Sequence, residues 1–457
     1  MRVFATFSLG ALLLAGAPVW SQDGTQAAEP APAVAGPMSD IPVKDDADRM
    51  LTPPPVSGQT YPLSLGSEER ANYLRGGVTF NTAYSDNVLP GASATPVSDI
   101  SYSVWPTIAL DETTSRAHTV LTYAPGFTFY QRNSVFNEAD QNLSLAFDYR
   151  LSPHVTVSLH DSFQKSSDIF NQPEQGLAGA VSGSAAGGND SVIAPLADRL
   201  NNTGSAGITY QFSANSMLGA SGTFSNLHYP DPAEVPGLYD AAARGGSAFY
   251  SYRISQQHYV GVIYQYQELL SYPAATTNQT QTNGAFLFYT FYPSLRFSFS
   301  LFGGPQYYSE GPQYTGATTP SLAGSQAWSP AAGASLSWQA QHTSIAISYS
   351  HVVSSGGGLI GAVELDSATA SLRQQITRRF SAALTGGYAN NGVLSVASLG
   401  GHSISGSAGL QRQVGEHVKL QAGYTRLHQD YSFFAADPDT NREWVSITYQ
   451  FARPLGR

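Results

Sequence analysis

The amino-acid sequence predicts an all-β chain: a transmembrane antiparallel up-and-down β-barrel of about 18 strands, with about 16 as the alternative count. Three observations predict it. Segments of roughly 10 to 15 residues alternate strictly between apolar and polar side chains, as a strand with one greasy and one wet face requires. Short and long polar connections follow one another without a break. Charged residues make up only 12% of the chain, half the usual share of a soluble protein, while aromatics also reach 12%. A wall facing hydrocarbon explains the shortage of charge.

The first element, residues 1–21, "MRVFATFSLGALLLAGAPVWS", has an early Arg2, an apolar run and small residues near its end. This pattern is that of a secretory signal peptide, too short for a membrane-spanning helix, and no later run approaches the roughly 20 apolar residues such a helix needs. Any membrane crossing must therefore be made by strands. Residues 22–72 read as a Pro-rich periplasmic linker without fixed structure, because prolines spaced as in "AAEPAPAVAGP" and "LTPPPVSG" block both helices and sheet ladders.

The barrel is expected over 73–452, followed by a short C-terminal tail, 453–457. "NLSLAFDYR" sets Leu143, Leu145, Phe147 and Tyr149 against Asn142, Ser144, Asp148 and Arg150. "HVTVSLHDSF", "SIAISYS" and the near-terminal "EWVSITYQF" repeat the pattern, the last with Val445, Ile447, Tyr449 and Phe451 on one face. "GAFLFYTFY", 284 to 292, departs from it by being apolar on both faces. Tight turns are expected at 151–154, 213–215, 255–257, 293–294, 340–342, 377–379 and 414–417, with longer links between them, the longest over 168–202. Membrane barrels place turns at the periplasmic rim and loops outside. Tyr and Trp near strand ends, including Tyr84, Trp105, Tyr149, Trp328, Trp338 and Tyr388, are expected to form outward interfacial girdles.

The chemistry is sparse. With no cysteine, the chain has no disulfide, thiol nucleophile or zinc–cysteine site, and a net charge of −10 argues against nucleic acid. No catalytic, cofactor or metal residue is assigned, and no enzyme activity is expected. "GGGLIGA", 356 to 362, lacks the strand-then-helix context of a phosphate loop and is expected to be a flexible loop. His402, His428, Asp430 and Glu443 should gather at the extracellular rim near Ser403 and Ser405, the makings of a lipid hydrolase or acyltransferase, though without a nucleophile motif. Arg116, Arg150, Arg253, Arg296, Arg378, Arg379 and Arg412 fall near proposed periplasmic turns, whereas the outer loops are acidic. The loop 168–202 is the one expected to fold inward, bringing Asp168, Glu174, Asp190 and Asp198 to the pore mouth.

An opening strand running into "NTAYSDNVL" (81–89) and an aromatic ending "ITYQF" resemble the Gram-negative outer-membrane β-barrel proteins, and more narrowly the β-barrel porin families. The resemblance implies an integral outer-membrane location amid lipid and lipopolysaccharide. It also implies that Tyr449 and Phe451 form the signal read by the barrel assembly machinery, with "ARPLGR" an added tail. A homotrimer is left open. The expected function is a porin-like channel for passive diffusion of small polar solutes. The alternatives are a barrel for export or anchoring of a surface polymer with periplasmic partners, and the rim enzyme.

Overall fold

The computed structural model describes residues 50, 72–88, 95–166, 198–231, 237–273, 276–294, 296–312, 324–394, 400–431 and 439–455. The expected leader, all of the expected linker except Met50 and Asn72, and Asp168, Glu174 and Asp190 lie outside them. Among the described residues eighteen strands follow in chain order: β1 (Tyr73–Ser85), β2 (Asp99–Thr113), β3 (Ala117–Tyr130), β4 (Glu138–Arg150), β5 (Val155–Ser166), β6 (Arg199–Ser213), β7 (Ser216–His228), β8 (Asp240–Arg253), β9 (His258–Tyr272), β10 (Asn278–Ser294), β11 (Phe297–Glu310), β12 (Gln326–Gln339), β13 (Thr343–Ser355), β14 (Ala362–Thr377), β15 (Phe380–Val393), β16 (Gly400–Val414), β17 (Val418–Tyr431) and β18 (Thr440–Pro454).

Each strand pairs antiparallel with the next, and β1 pairs with both β2 and β18, so the sheet closes on itself. Closure answers the bilayer's demand that backbone groups find partners within the protein. Tyr73 stands opposite Pro454, which brings both ends of the barrel to one rim. That rim carries the turns of two to four residues after every even-numbered strand, and the other rim carries the longer links. The last strand runs two residues past the expected barrel end, and Leu455 N–H still donates to Asn72 O at 2.8 Å.

Alternation sorts the faces. On β18, Val445, Ile447, Tyr449 and Phe451 are 47 to 57% exposed, while Ser446 and Thr448 are 4 and 7% exposed. The apolar row therefore points away from the lumen, and the alternation of the terminal strand is that of a lipid-facing wall. Near the loop rim, outward tyrosines donate to outward amides or carboxylates on the next strand: Tyr264 to Asn283 at 2.9 Å, Tyr307 to Gln326 at 2.8 Å, Tyr349 to Asp366 at 3.0 Å and Tyr424 to Asn441 at 2.6 Å. A collar of rings with wet tips is what an interfacial girdle needs.

Two expectations are corrected. Trp105 belongs to no girdle: it is fully buried and faces inward, its ring lying against Gly126 of β3, where any Cβ would collide with it. Its place in β2 puts it in the row of Ser101 and Ser103, and strand parity outweighs an indole's liking for interfaces. Residues 356–362 are not a flexible loop either; they are almost wholly buried, for the reason given next.

Candidate functional site in the barrel lumen

Cross-strand register pairs inward hydroxyls with one another around much of the lumen. Thr79 meets Thr448 at 3.0 Å, Thr128 donates to Ser103 at 3.0 Å, Ser348 meets Thr369 at 2.7 Å, and Thr385 meets Ser407 at 2.6 Å. Directly opposed side chains on neighbouring strands are close enough for such rungs. On the arc from β15 through β18 to β6 the inner wall is mainly of this kind. The arc from β8 to β12 differs: Phe249, Ile263, Phe286, Phe288 and Phe302 turn inward and pack with Val352. This explains "GAFLFYTFY", whose Leu287 is outward and exposed while its Phe286 and Phe288 are buried inside.

The feature that these aromatics support is the hairpin joining β13 and β14. β13 pairs with β12 only from Ser344 to His351; beyond it, Val352 to Ser355 pair with β14 alone, and residues 326–331 of β12 pair only with β11. The freed end of β13 folds into the lumen with the tip that joins it to β14, while β14 itself stays paired with β15 from Val363 onward. β13 comes to rest against β8 and β9, strands five and four places away around the wall. Its tip is pinned by Tyr239 N–H to Gly358 O at 2.7 Å, Gly361 N–H to Ser271 Oγ at 3.1 Å and Val353 N–H to Gln306 Oε1 at 3.1 Å. Leu359 and Ile360 bury themselves with Tyr229, Leu238, Leu365 and Tyr431. The tip needs its glycines, because Gly357 and Gly358 hold φ of 59° and 98°, and a Cβ on Gly358 would stand 2.9 Å from Tyr229 Oη. Apolar residues flanking a glycine run, Val352, Val353, Leu359, Ile360 and Val363, were the signal available in the sequence.

Charge divides along the axis. By strand parity Arg75, Arg150, Arg253, Arg373 and Lys419 turn inward at the turn rim, with Asp111 and Asp148 among them. At the loop rim Asp99, Glu138, Asp140 and Glu310 turn inward, with Arg199 and Arg442. Asp99 ties down the β3–β4 link, accepting from Asn133 N–H at 2.9 Å and Asn133 Nδ2 at 2.8 Å. Asp198 lies just before β6 with a carboxylate oxygen 3.1 Å from Lys165 Nζ, and Lys165 belongs to the outward row of β5. Met50 sits at the opposite end, buried with Met217 and Tyr259, its N–H donating to Gln211 Oε1 at 3.0 Å.

The rim group separates by face. His402 and His428 lie outward with ring centroids 5.7 Å apart, and His428 Nδ1 is 2.5 Å from Asp439; Asp430 and Glu443 are outward too. Ser403 and Ser405 are buried on the inner face. The sheet stands between the hydroxyls and the imidazoles, so these residues do not assemble a serine–histidine–acid site. Tyr449 and Phe451 lie outward on the closing strand, with the Phe451 ring over Gly76 of β1.

A closed barrel with an even strand number, a lipid-facing apolar wall, turns on one rim and loops on the other is an integral outer-membrane protein of the Gram-negative type. No protein-family model matches the sequence, and no curated protein matches it. Among solved structures, it is similar to OccK2 (OpdF) of Pseudomonas aeruginosa at 9% identity and a TM-score of 0.42, over 83% of this chain and 98% of that one. It is also similar to OpdK of the same organism (9%, 0.40, 83% and 99%) and to a BenF-like porin from Pseudomonas fluorescens Pf-5 (11%, 0.39, 83% and 99%).

Proposed function

We infer that the barrel is a passive channel for small polar solutes whose route follows the hydroxyl-lined arc, narrowed by the β13–β14 hairpin. The single observation that carries this reading is the asymmetric lumen: an apolar arc filled by the inturned hairpin, opposite an arc of cross-strand Ser and Thr pairs. An 18-stranded barrel lies near the 16 to 18 strands at which a lumen holds an aqueous path unless something fills it. Here the filling is partial and one-sided. Hydroxyls satisfied by each other rather than by a core offer a solute replaceable hydrogen bonds without binding it tightly. The test is conductance in a planar bilayer. The wild type should give small steps, and a variant in which residues 355–361 are replaced by a two-residue Asn-Gly turn should give clearly larger ones. A wild type and a shortened variant that are both silent at every voltage would overturn the channel.

A further inference from the structure

We propose that His351 is a proton-operated clamp at the hinge of the lumen-crossing hairpin, holding the channel narrow at acid pH and releasing it as pH rises; this rests on the channel reading above. His351 is the last residue of β13 that pairs with β12, standing opposite Ala332, and the next residue begins the inward departure. Its two ring nitrogens meet two different carboxylates of β14: Nδ1 lies 2.8 Å from Asp366 Oδ1, and Nε2 lies 3.1 Å from Glu364 Oε1. Each carboxylate is tied further. Asp366 accepts from Tyr349 Oη at 3.0 Å, and Glu364 accepts from Ser329 Oγ of β12 at 2.9 Å.

The Ser329 contact stitches β14 to β12 across the stretch where β13 no longer lies between them. Once protonated, His351 is the counter-charge placed between the two carboxylates.

Hydrogen-bond valence makes the arrangement sensitive to a proton. A neutral imidazole has one N–H and one lone pair, so it donates to one carboxylate and turns its lone pair on the other; an imidazolium donates to both. Deprotonation therefore costs one bond and leaves two carboxylates on one face of β14 without the positive charge between them. The other groups facing the cluster do not replace it. On β13 there is Tyr349, and on β11 Tyr308, which is within reach of both Glu310 and Glu364. β12 bears no charged residue, and the β15 partners of Asp366 and Glu364 are Asn390 and Gly392. Among the described residues of these strands, the ionisable groups named beside the cluster are acids or phenols. The side chains of His351, Asp366 and Glu364 keep 21, 32 and 40% exposure, so protons reach them from the outer rim. The sign follows from the bond count: the clamp is complete when the imidazole carries both protons and is lost when it gives one up.

The experiment records bilayer currents at constant ionic strength from pH 5 to 8 for the wild type, His351→Gln, Glu364→Gln and the variant lacking 355–361. The wild type should gain mean conductance several-fold between pH 5 and 8. The shortened variant should conduct strongly at both. His351→Gln, which cannot become a cation, should be flat and open, and Glu364→Gln should show a weakened response. A wild type that conducts equally at every pH, or a His351→Gln variant that keeps the wild-type response, overturns the clamp while leaving the channel in place. Silence of every variant at every pH removes the channel, and the clamp with it.

Discussion

Replacing Ile347 by arginine puts a charge directly into the lipid-facing wall. Ile347 lies in the outward row of β13, opposite Leu336 of β12 and Ala370 of β14, and is 49% exposed on the hydrocarbon side. It stands two residues from Tyr349, whose hydroxyl reaches Asp366 in the aromatic collar, and four from Thr343 at the strand start. That spacing puts it near mid-membrane, where an arginine on a barrel's lipid face costs about 2–4 kcal/mol. At about 1.4 kcal/mol per tenfold, the folding equilibrium should fall by a factor of roughly 30 to 700.

The control is Ser144→Arg, on the inner face of β4 between Thr122 and Ser162, where the guanidinium stays in the lumen. Its cost should stay near the ~0.5 kcal/mol typical of surface changes. Leu145→Arg is informative in a different way. Asp161 of β5 lies opposite Leu145 on the same outward face, and a directly opposed opposite charge is stabilising. Leu145→Arg should therefore cost less than Ile347→Arg. The assay is reversible urea unfolding from phospholipid vesicles, followed by tryptophan fluorescence. Equal losses for Ile347→Arg and Ser144→Arg would refute the assignment of faces.

Two further outcomes are expected. We propose that the terminal aromatic is the assembly signal; Phe451→Ala should then lower outer-membrane levels, measured in membrane fractions, more than deletion of 452–457, and the reverse order would point to the pairing of Ala452 to Pro454 with β1 instead. Changing Asp168, Glu174, Asp190 and Asp198 to Asn or Gln should reduce a weak cation preference that fades with salt, read as a reversal potential under a salt gradient; an anion-selective wild type, or an unchanged variant, would exclude these acids as the selectivity element.

Much of the wall was legible in the sequence because a membrane barrel writes one rule into every strand. The turns expected at 151–154, 340–342 and 414–417 recur in the structure within a residue, and the terminal strand's two faces fall as its alternation dictates. The lumen was less legible. Parity tells whether Trp105 faces in or out once the strand register is known, but an indole's chemistry alone suggests the girdle. The inturned hairpin escaped because its glycines read as flexibility, whereas they serve the positive φ and the close approach of Tyr229. His351 escaped because its partners, Glu364 and Asp366, are brought to it by the β13–β14 register and by the departure of β13 from β12. No spacing rule along the chain encodes that departure.

The hairpin also bears on selectivity, because its tip carries no charge. Residues 354–361 are Ser, Gly, Leu and Ile alone, so the body that narrows the lumen exerts size and not sign. A field is focused where low-dielectric walls converge, and the hairpin supplies such a wall while inward side chains at the two rims supply the charges. At the loop rim the inward set is Asp99, Glu138, Asp140 and Glu310 against Arg199 and Arg442; at the turn rim it is Arg75, Arg150, Arg253, Arg373 and Lys419 against Asp111 and Asp148. In the proposed channel these sets would favour a cation on entry and oppose it on exit. With a Debye length of about 8 Å at physiological salt, the two rims act separately, and the one nearer the narrowing dominates. The hairpin folds in from the loop rim, which places the narrowing beside the acids. The proposed channel is therefore expected to discriminate by width first and to prefer cations only weakly.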